Sequence, residues 1–166
     1  MDNRFAEFQK GLEKLLAPYE GQLQYGNLRK QYSEWEDHTN VAITYETPGG
    51  STDQINITYR HDDQRFTVID SVTDEETTTE DVDGLLNFIE AEIKSIPQQR
   101  KRRLFENVDR WAAEGLTRLQ IFRELNHILR SSIEFKGGSI TPQELRVACQ
   151  YTVEVLARRA SAKGGK

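Results

Sequence analysis

Two short clusters carry the residue types from which a metal site is built. Glu36-Asp37-His38 precedes an alternating stretch that begins at Val41, and His61-Asp62-Asp63 follows another that ends at Tyr59. Imidazole and carboxylate together suit zinc and related metals, and the ligand set the pattern offers is His38, His61 and Asp63. For the clusters to meet, the stretches between them must be antiparallel strands, because the start of one strand then shares an edge with the end of the next. The same residue types are also common in turns, where they bond to nearby backbone and keep the turn solvated. Other catalytic signatures are missing from the sequence: it has no GxGxxG, P-loop, GxSxG, HExxH or CxxC. Its single cysteine, Cys149, stands among Leu145, Val147, Ala148, Val153 and Leu156 at helical spacing, where a thiol fills a core more often than it attacks a substrate. No cofactor is expected, and the balance leans away from an enzyme.

A second kind of chemistry is written in QQRKRR, residues 98–103. Four consecutive cations, Arg100, Lys101, Arg102 and Arg103, could grip phosphates or another anionic partner. Against this, Arg102, Glu106, Arg110, Glu114 and Arg118 fall four apart with alternating sign. On one helix face that is a solvated ladder of ion pairs, each worth a few tenths of a kcal/mol. Further on, EGLTRLQIFREL, residues 114–125, resembles the opening of a helix-turn-helix: a glycine, a capping threonine and an amphipathic helix. The resemblance implies DNA reading by the helix over Thr117–Ser132 and requires a small residue where Phe122 stands. With Leu119, Ile121, Leu125, Ile128, Leu129 and Ile133, that phenylalanine instead fits a helix apolar around most of its circumference, shared with a core or a partner. Trp111, Leu119, Phe122, Leu125 and Leu129 are the expected interface residues. Truncating Phe122 to alanine is expected to cost about 3–5 kcal/mol if the ring is fully buried.

These residues need elements to position them. Phe5, Phe8, Leu12, Leu15, Leu16 and Tyr19 recur at steps of three and four, which predicts a first helix ending before Gly21. From Val41 the period becomes two: Val41, Ile43, Tyr45; then Ile55, Ile57, Tyr59; then Phe66 and Val68. That is an antiparallel meander with turns at Pro48-Gly49-Gly50 and His61–Gln64, one face apolar enough to need a cover and the other rich in Thr and Asn. Leu28 to His38 reads as strand or helix, with strand favoured, and the Thr-rich run from Glu75 to Thr79 reads as an edge strand. Val82, Leu85, Leu86, Ile89 and Ile93 mark a second helix expected to stop at Pro97. Leu104, Phe105, Val108, Trp111 and Ala112 mark a third. Thr117-Arg-Leu-Gln120 and Thr141-Pro-Gln-Glu144 each fit a capping box and so open two more, separated by a loop at Lys136–Ser139.

The expected architecture is therefore α+β: an N-terminal helix, a small antiparallel meander of three to five strands covered by helices, then a C-terminal helical, bundle-like part. Residues 1–96 carry 20 Asp and Glu against 8 Lys and Arg, a net −12, whereas residues 97–166 carry 7 against 14, a net +7. This suggests an acidic α+β sheet domain over 1–96, a basic helical part over 97–160 that packs on it or forms a dimer interface, and a disordered tail over 161–166. The sequence contains no apolar run near the roughly 20 residues that span a bilayer, and one cysteine fits a reducing compartment, so a cytoplasmic protein with no membrane contact is expected. The functional expectation is a small non-catalytic binding or regulatory protein acting through protein–protein contacts of its helical surface, with a protein partner or a second copy. A nucleic-acid-associated protein using Arg100–Arg103 and the Thr117 helix is the alternative, and a metal-dependent enzyme the weaker one.

Overall fold

The structure, a computed structural model, describes residues 3–49, 51–70, 73–135 and 140–164. The chain runs α1 (Asn3–Leu16), β1 (Arg29–Glu34), β2 (His38–Glu46), β3 (Thr52–Arg60), β4 (Arg65–Ile69), β5 (Glu76–Thr79), α2 (Val82–Ala113), α3 (Arg118–Phe135) and α4 (Pro142–Gly164), with a short 3-10 turn at Leu23–Tyr25 before β1. The five strands form one antiparallel meander in the order β1-β2-β3-β4-β5. Two compact units emerge, Met1–Tyr45 with Thr52–Ser95, and Glu46–Ser51 with Ile96–Lys166.

In the first unit the alternation reads directly as burial. Val41, Ile43, Tyr45, Ile55, Ile57, Tyr59, Phe66 and Val68 are buried on one face. Phe8, Leu12 and Leu16 of α1 and Val82, Leu85, Ile89 and Ile93 of α2 supply the other side of that core. Phe8 packs on Phe66 with ring centroids 4.8 Å apart, and Phe5 on Tyr59 at 5.1 Å. Gly11 faces α2, where a Cβ at residue 11 would sit 2.5 Å from Leu86 Cδ1 and displace the end of that leucine. The ambiguous segment after Leu28 is a strand: Tyr32 stands opposite Val41 and Lys30 opposite Ile43, so the paired face decides against the helical spacing. The Thr-rich run is likewise a strand, with Thr77 opposite Val68 and Thr79 opposite Phe66.

The second unit is helical. Leu104, Val108, Ala112, Ile121, Leu125, Ile128, Ile140, Ala148 and Val155 form its buried cluster. Both expected capping boxes close. The Thr117 N–H donates to Gln120 Oε1 at 2.8 Å and the Gln120 N–H to Thr117 Oγ1 at 3.3 Å. The Thr141 pair does the same with Glu144 at 2.9 and 3.0 Å.

Two expectations are corrected. Pro97 does not end a helix: α2 runs through it from Val82 to Ala113, so among the described residues three long helices follow the sheet and not four. Proline removes one hydrogen bond and crowds the preceding turn, a cost of about 3 kcal/mol, but Ile93, Ile96, Arg100 and Leu104 on both sides of it are at most 1% exposed, and burial of that continuous stripe outweighs the lost bond. The segment expected as a tail from Ser161 is helical as far as Gly164, extending α4 through the good helix formers Ala160, Ala162 and Lys163. As the packing-helix reading of this stretch expects, α3 continues unbroken through Asn126 to Phe135, and the turn that a helix-turn-helix needs is not made there. The glycine and threonine of EGLTRLQIFREL act where α2 gives way to α3: Gly115 takes φ +89° and Thr117 caps. The loop expected at Lys136–Ser139 lies outside the described residues.

Candidate functional site

The β1–β2 and β3–β4 turns do lie at the same edge of the sheet. The His61 N–H donates to the Asp37 carbonyl at 3.0 Å, and the imidazole bridges the turns: Nδ1 lies 3.1 Å from the Glu36 carbonyl and Nε2 2.9 Å from Thr39 Oγ1. A carbonyl only accepts, so Nδ1 carries the proton in this contact and, in the neutral ring, the Nε2 lone pair receives the Thr39 hydroxyl. Both nitrogens of His61 are thus occupied in joining two turns, and neither is offered to a metal.

His38 stands close by but is differently engaged. Its Nδ1 lies 2.7 Å from Asp37 Oδ1, and the hydrogen bond from His38 holds the Asp37 carboxyl below the usual carboxylate range. The Trp35 indole, 58% exposed, stacks on its ring at 5.9 Å and 14°. Asp63, the third expected ligand, accepts the Arg65 N–H at 3.2 Å and faces Arg60 Nε at 3.8 Å. Asp62 accepts from Arg60 Nη2 at 3.2 Å; the Asp63 N–H, and next Arg60, hold its carboxyl below the usual range. Among the described residues no group of three or more His, Cys, Asp and Glu is placed to hold a metal ion. What the edge presents is an open depression of about 450 Å³ lined by Asp37, His38, Asn40, Thr58, Arg60 and Asp62, in which charges are paired within the fold.

The basic run divides. Arg100 is fully buried and is removed from the candidate anion-binding set. Its Nε and Nη2 donate to Glu144 at 3.0 and 2.9 Å, and its Nη1 to the Glu46 carbonyl at 2.5 Å. Its place in the apolar stripe between Ile96 and Leu104 was the signal for this burial. Lys101, Arg102 and Arg103 are exposed, with the Lys101 ammonium 5.5 Å from the centroid of the Phe105 ring. The alternating ladder is interrupted as well, because its last member, Arg118, opens α3 beyond the turn at Gly115.

The expected interface residues separate by exposure. Leu125 is fully buried in the helical core, with Ile121 and Ile128 on the same stripe. Trp111, Phe122 and Leu129 pack against that core only in part, and Leu119 is 61% exposed. Leu119, Phe122, Asn126 and Leu129 follow a three-four-three spacing, which lines them up along a second stripe of α3 beside the buried one. Exposed Arg118, Arg123 and Arg130 border it. On α4, Val153 is 46% exposed, while Cys149 is half-buried with its thiol pushed up by burial, a setting that disfavours a reactive thiolate.

Comparison of the chain with protein-family models, with curated proteins and with solved structures finds no match. Among the described residues no helix is long and apolar enough to cross a membrane.

Proposed function

We propose that the chain is a non-catalytic binding protein whose helical unit makes a protein–protein contact through the outer stripe of α3. The observation that carries this reading is the partial exposure of Leu119, Phe122 and Leu129 at a spacing that meets a partner helix, directly beside a stripe already spent on the core. An isolated exposed leucine needs no explanation; three large apolar residues in one line, with an Asn at a position where a single polar residue sets register, resemble half of a helix–helix seam. The bordering Arg118, Arg123 and Arg130 favour an acidic helix over a second α3, whose arginines would face their own kind.

The test is affinity capture from native cytosol with wild type and Leu119→Glu, each with and without nuclease, alongside sedimentation of the purified chain. Leu119 is exposed enough for the substitution to leave the fold intact. A protein retained by wild type after nuclease and lost on Leu119→Glu supports the reading, and equal retention by both variants overturns it.

A second reading keeps Lys101, Arg102 and Arg103, three adjacent exposed cations, as a phosphate contact. It expects retention that nuclease abolishes and that weakens steeply with salt.

A further inference from the structure

The edge of the sheet formed by β5 has the features of a docking strand. Asp70 donates its N–H to the Glu75 carbonyl and accepts the Asp74 N–H, each at 2.9 Å, so residue 70 is hydrogen-bonded to a bulged 74–75 at the end of the ladder. Hydrogen-bonded pairs alternate along an antiparallel ladder, so the bonded pairs that follow in the observed register are 68 with 77 and 66 with 79. Glu76 and Thr78 therefore turn their N–H and C=O groups away from β4, along the open edge. Glu76, Thr77 and Thr78 are all exposed. Proteins commonly blunt such an edge with lysine, proline or a covering element; β5 reads ETTT and contains neither residue.

Beside this edge is a cavity of about 210 Å³. Val68, Leu85 and Phe88 give it an apolar floor, and Thr77 and Thr79 form its strand side. Thr77 lies on the same sheet face as Val68, so a side chain opposite Thr77 on an added strand would point towards the cavity, and its neighbours would point to the opposite face beside Glu76 and Thr78. The charge is one-sided. Asp70, Asp74, Glu75, Glu76, Glu80, Asp81 and Asp83 fall within fourteen residues, and no Lys or Arg occurs between Arg65 and Lys94. Arg65 pairs with Glu80 of that group, Nε to Oε1 at 2.9 Å.

We infer that β5 binds a basic extended peptide as a sixth, antiparallel strand. The backbone groups of Glu76 and Thr78 supply the ladder, an aliphatic side chain opposite Thr77 enters the cavity, and Lys or Arg on either side of it pairs across the strands with the acidic rim. This surface belongs to the sheet unit and does not depend on the α3 reading.

The test uses the full chain and a fluorescein-labelled octapeptide alternating Arg and Val, followed by anisotropy. In the inferred register the arginine amides face β5 and the valine amides face away. N-methylation of the arginine amides should weaken binding at least about tenfold, the scale of one or two lost hydrogen bonds, and N-methylation of the valine amides should leave it unchanged. The three peptides carry the same charge, so simple electrostatic adhesion would not separate them. Thr78→Pro, which removes an outward N–H at an edge where proline is tolerated, should weaken the parent peptide by a similar factor with the melting temperature retained. Equal binding of the arginine-methylated and parent peptides overturns the inference, as does failure of the parent peptide to bind at millimolar concentration.

Discussion

The Arg100 guanidinium meets the Glu144 carboxylate edge to edge, with Nε 3.0 Å from Oε2 and Nη2 2.9 Å from Oε1. The same Oε1 accepts the Thr141 N–H at 2.9 Å, so a single carboxylate closes the cap of α4 and neutralises a cation buried in α2. Removing one partner of such a pair leaves the other as an uncompensated charge, which costs about 3–5 kcal/mol, whereas replacing both with apolar residues of similar volume is often neutral. Glu144→Ala is therefore expected to lose about 3–5 kcal/mol in urea unfolding, and Arg100→Met combined with Glu144→Leu is expected to recover most of that loss apart from the cap. A single substitution costing under about 1 kcal/mol would mean that the pair is exposed to solvent screening.

This pair also marks the limit of what the sequence made legible. The stripe Ile89, Ile93, Ile96, Arg100, Leu104, Val108 keeps helical spacing straight across Pro97. Weighing that continuity against the proline would have predicted one helix and a buried arginine. The local rule for proline is about a single turn, while the outcome is set by burial over five. The meander and the nearness of the two histidine turns were legible, because alternation and antiparallel connection fix which strand ends share an edge. The engagement of His61 was not, since its partners are a backbone carbonyl and a threonine hydroxyl, which leave no pattern in residue type. The β5 edge reads as a strand from its Thr-rich run, but its cavity depends on how the first turns of α2, with Leu85 and Phe88, fold back beside it.

Phe122 and Leu125 lie on different stripes of α3 and should respond differently to truncation. Leu125 is fully buried, and Leu125→Ala is expected to cost about 2–5 kcal/mol. Phe122 only partly packs against the core, so Phe122→Ala falls below the 3–5 kcal/mol expected of a fully buried ring, at roughly 1–2 kcal/mol. Denaturant midpoints of the two variants, measured with unchanged m-values, check the order. A larger loss for Phe122 than for Leu125 would return it to the core.

Glu92 should make stability depend on mildly acidic pH. Burial, and secondly the Asp70 carboxylate, push its pKa above the ordinary value of 4.5. The folded state therefore holds this proton more tightly than the unfolded chain. The favourable contribution is complete below the unfolded value and is lost as pH rises through the raised folded one. Glu92→Gln is expected to be more stable than wild type at neutral pH, with the difference vanishing as pH falls below 4.5. Thermal midpoints across pH 3–7 for both proteins would show converging curves, and parallel curves would deny the linkage.

The hydroxyls of Tyr59 and Tyr32 are buried, and no hydrogen-bond partner is found for either among the described residues. Tyr59 is 2% exposed and packs between Phe5 and Phe66 at 5.1 and 4.7 Å, an environment fit for a phenyl ring. A buried hydroxyl left unsatisfied costs about 1–3 kcal/mol, so Tyr59→Phe is expected to retain or raise stability, against the usual direction of a core substitution. Tyr32 adds an alkaline signature. Burial first, then Glu13 and Glu20, push its pKa up to about 12 from 10.0, so the neutral phenol is favoured in the folded state. Its contribution is full below pH 10 and disappears as pH rises through about 12. Ultraviolet titration should show one tyrosine ionising near that upper value, absent in Tyr32→Phe, and the variant should lose less stability than wild type over the same interval. If Tyr59→Phe instead cost more than about 1 kcal/mol, its hydroxyl would have to be bonded, and the packing of α1 over that end of the sheet would need a polar partner for it.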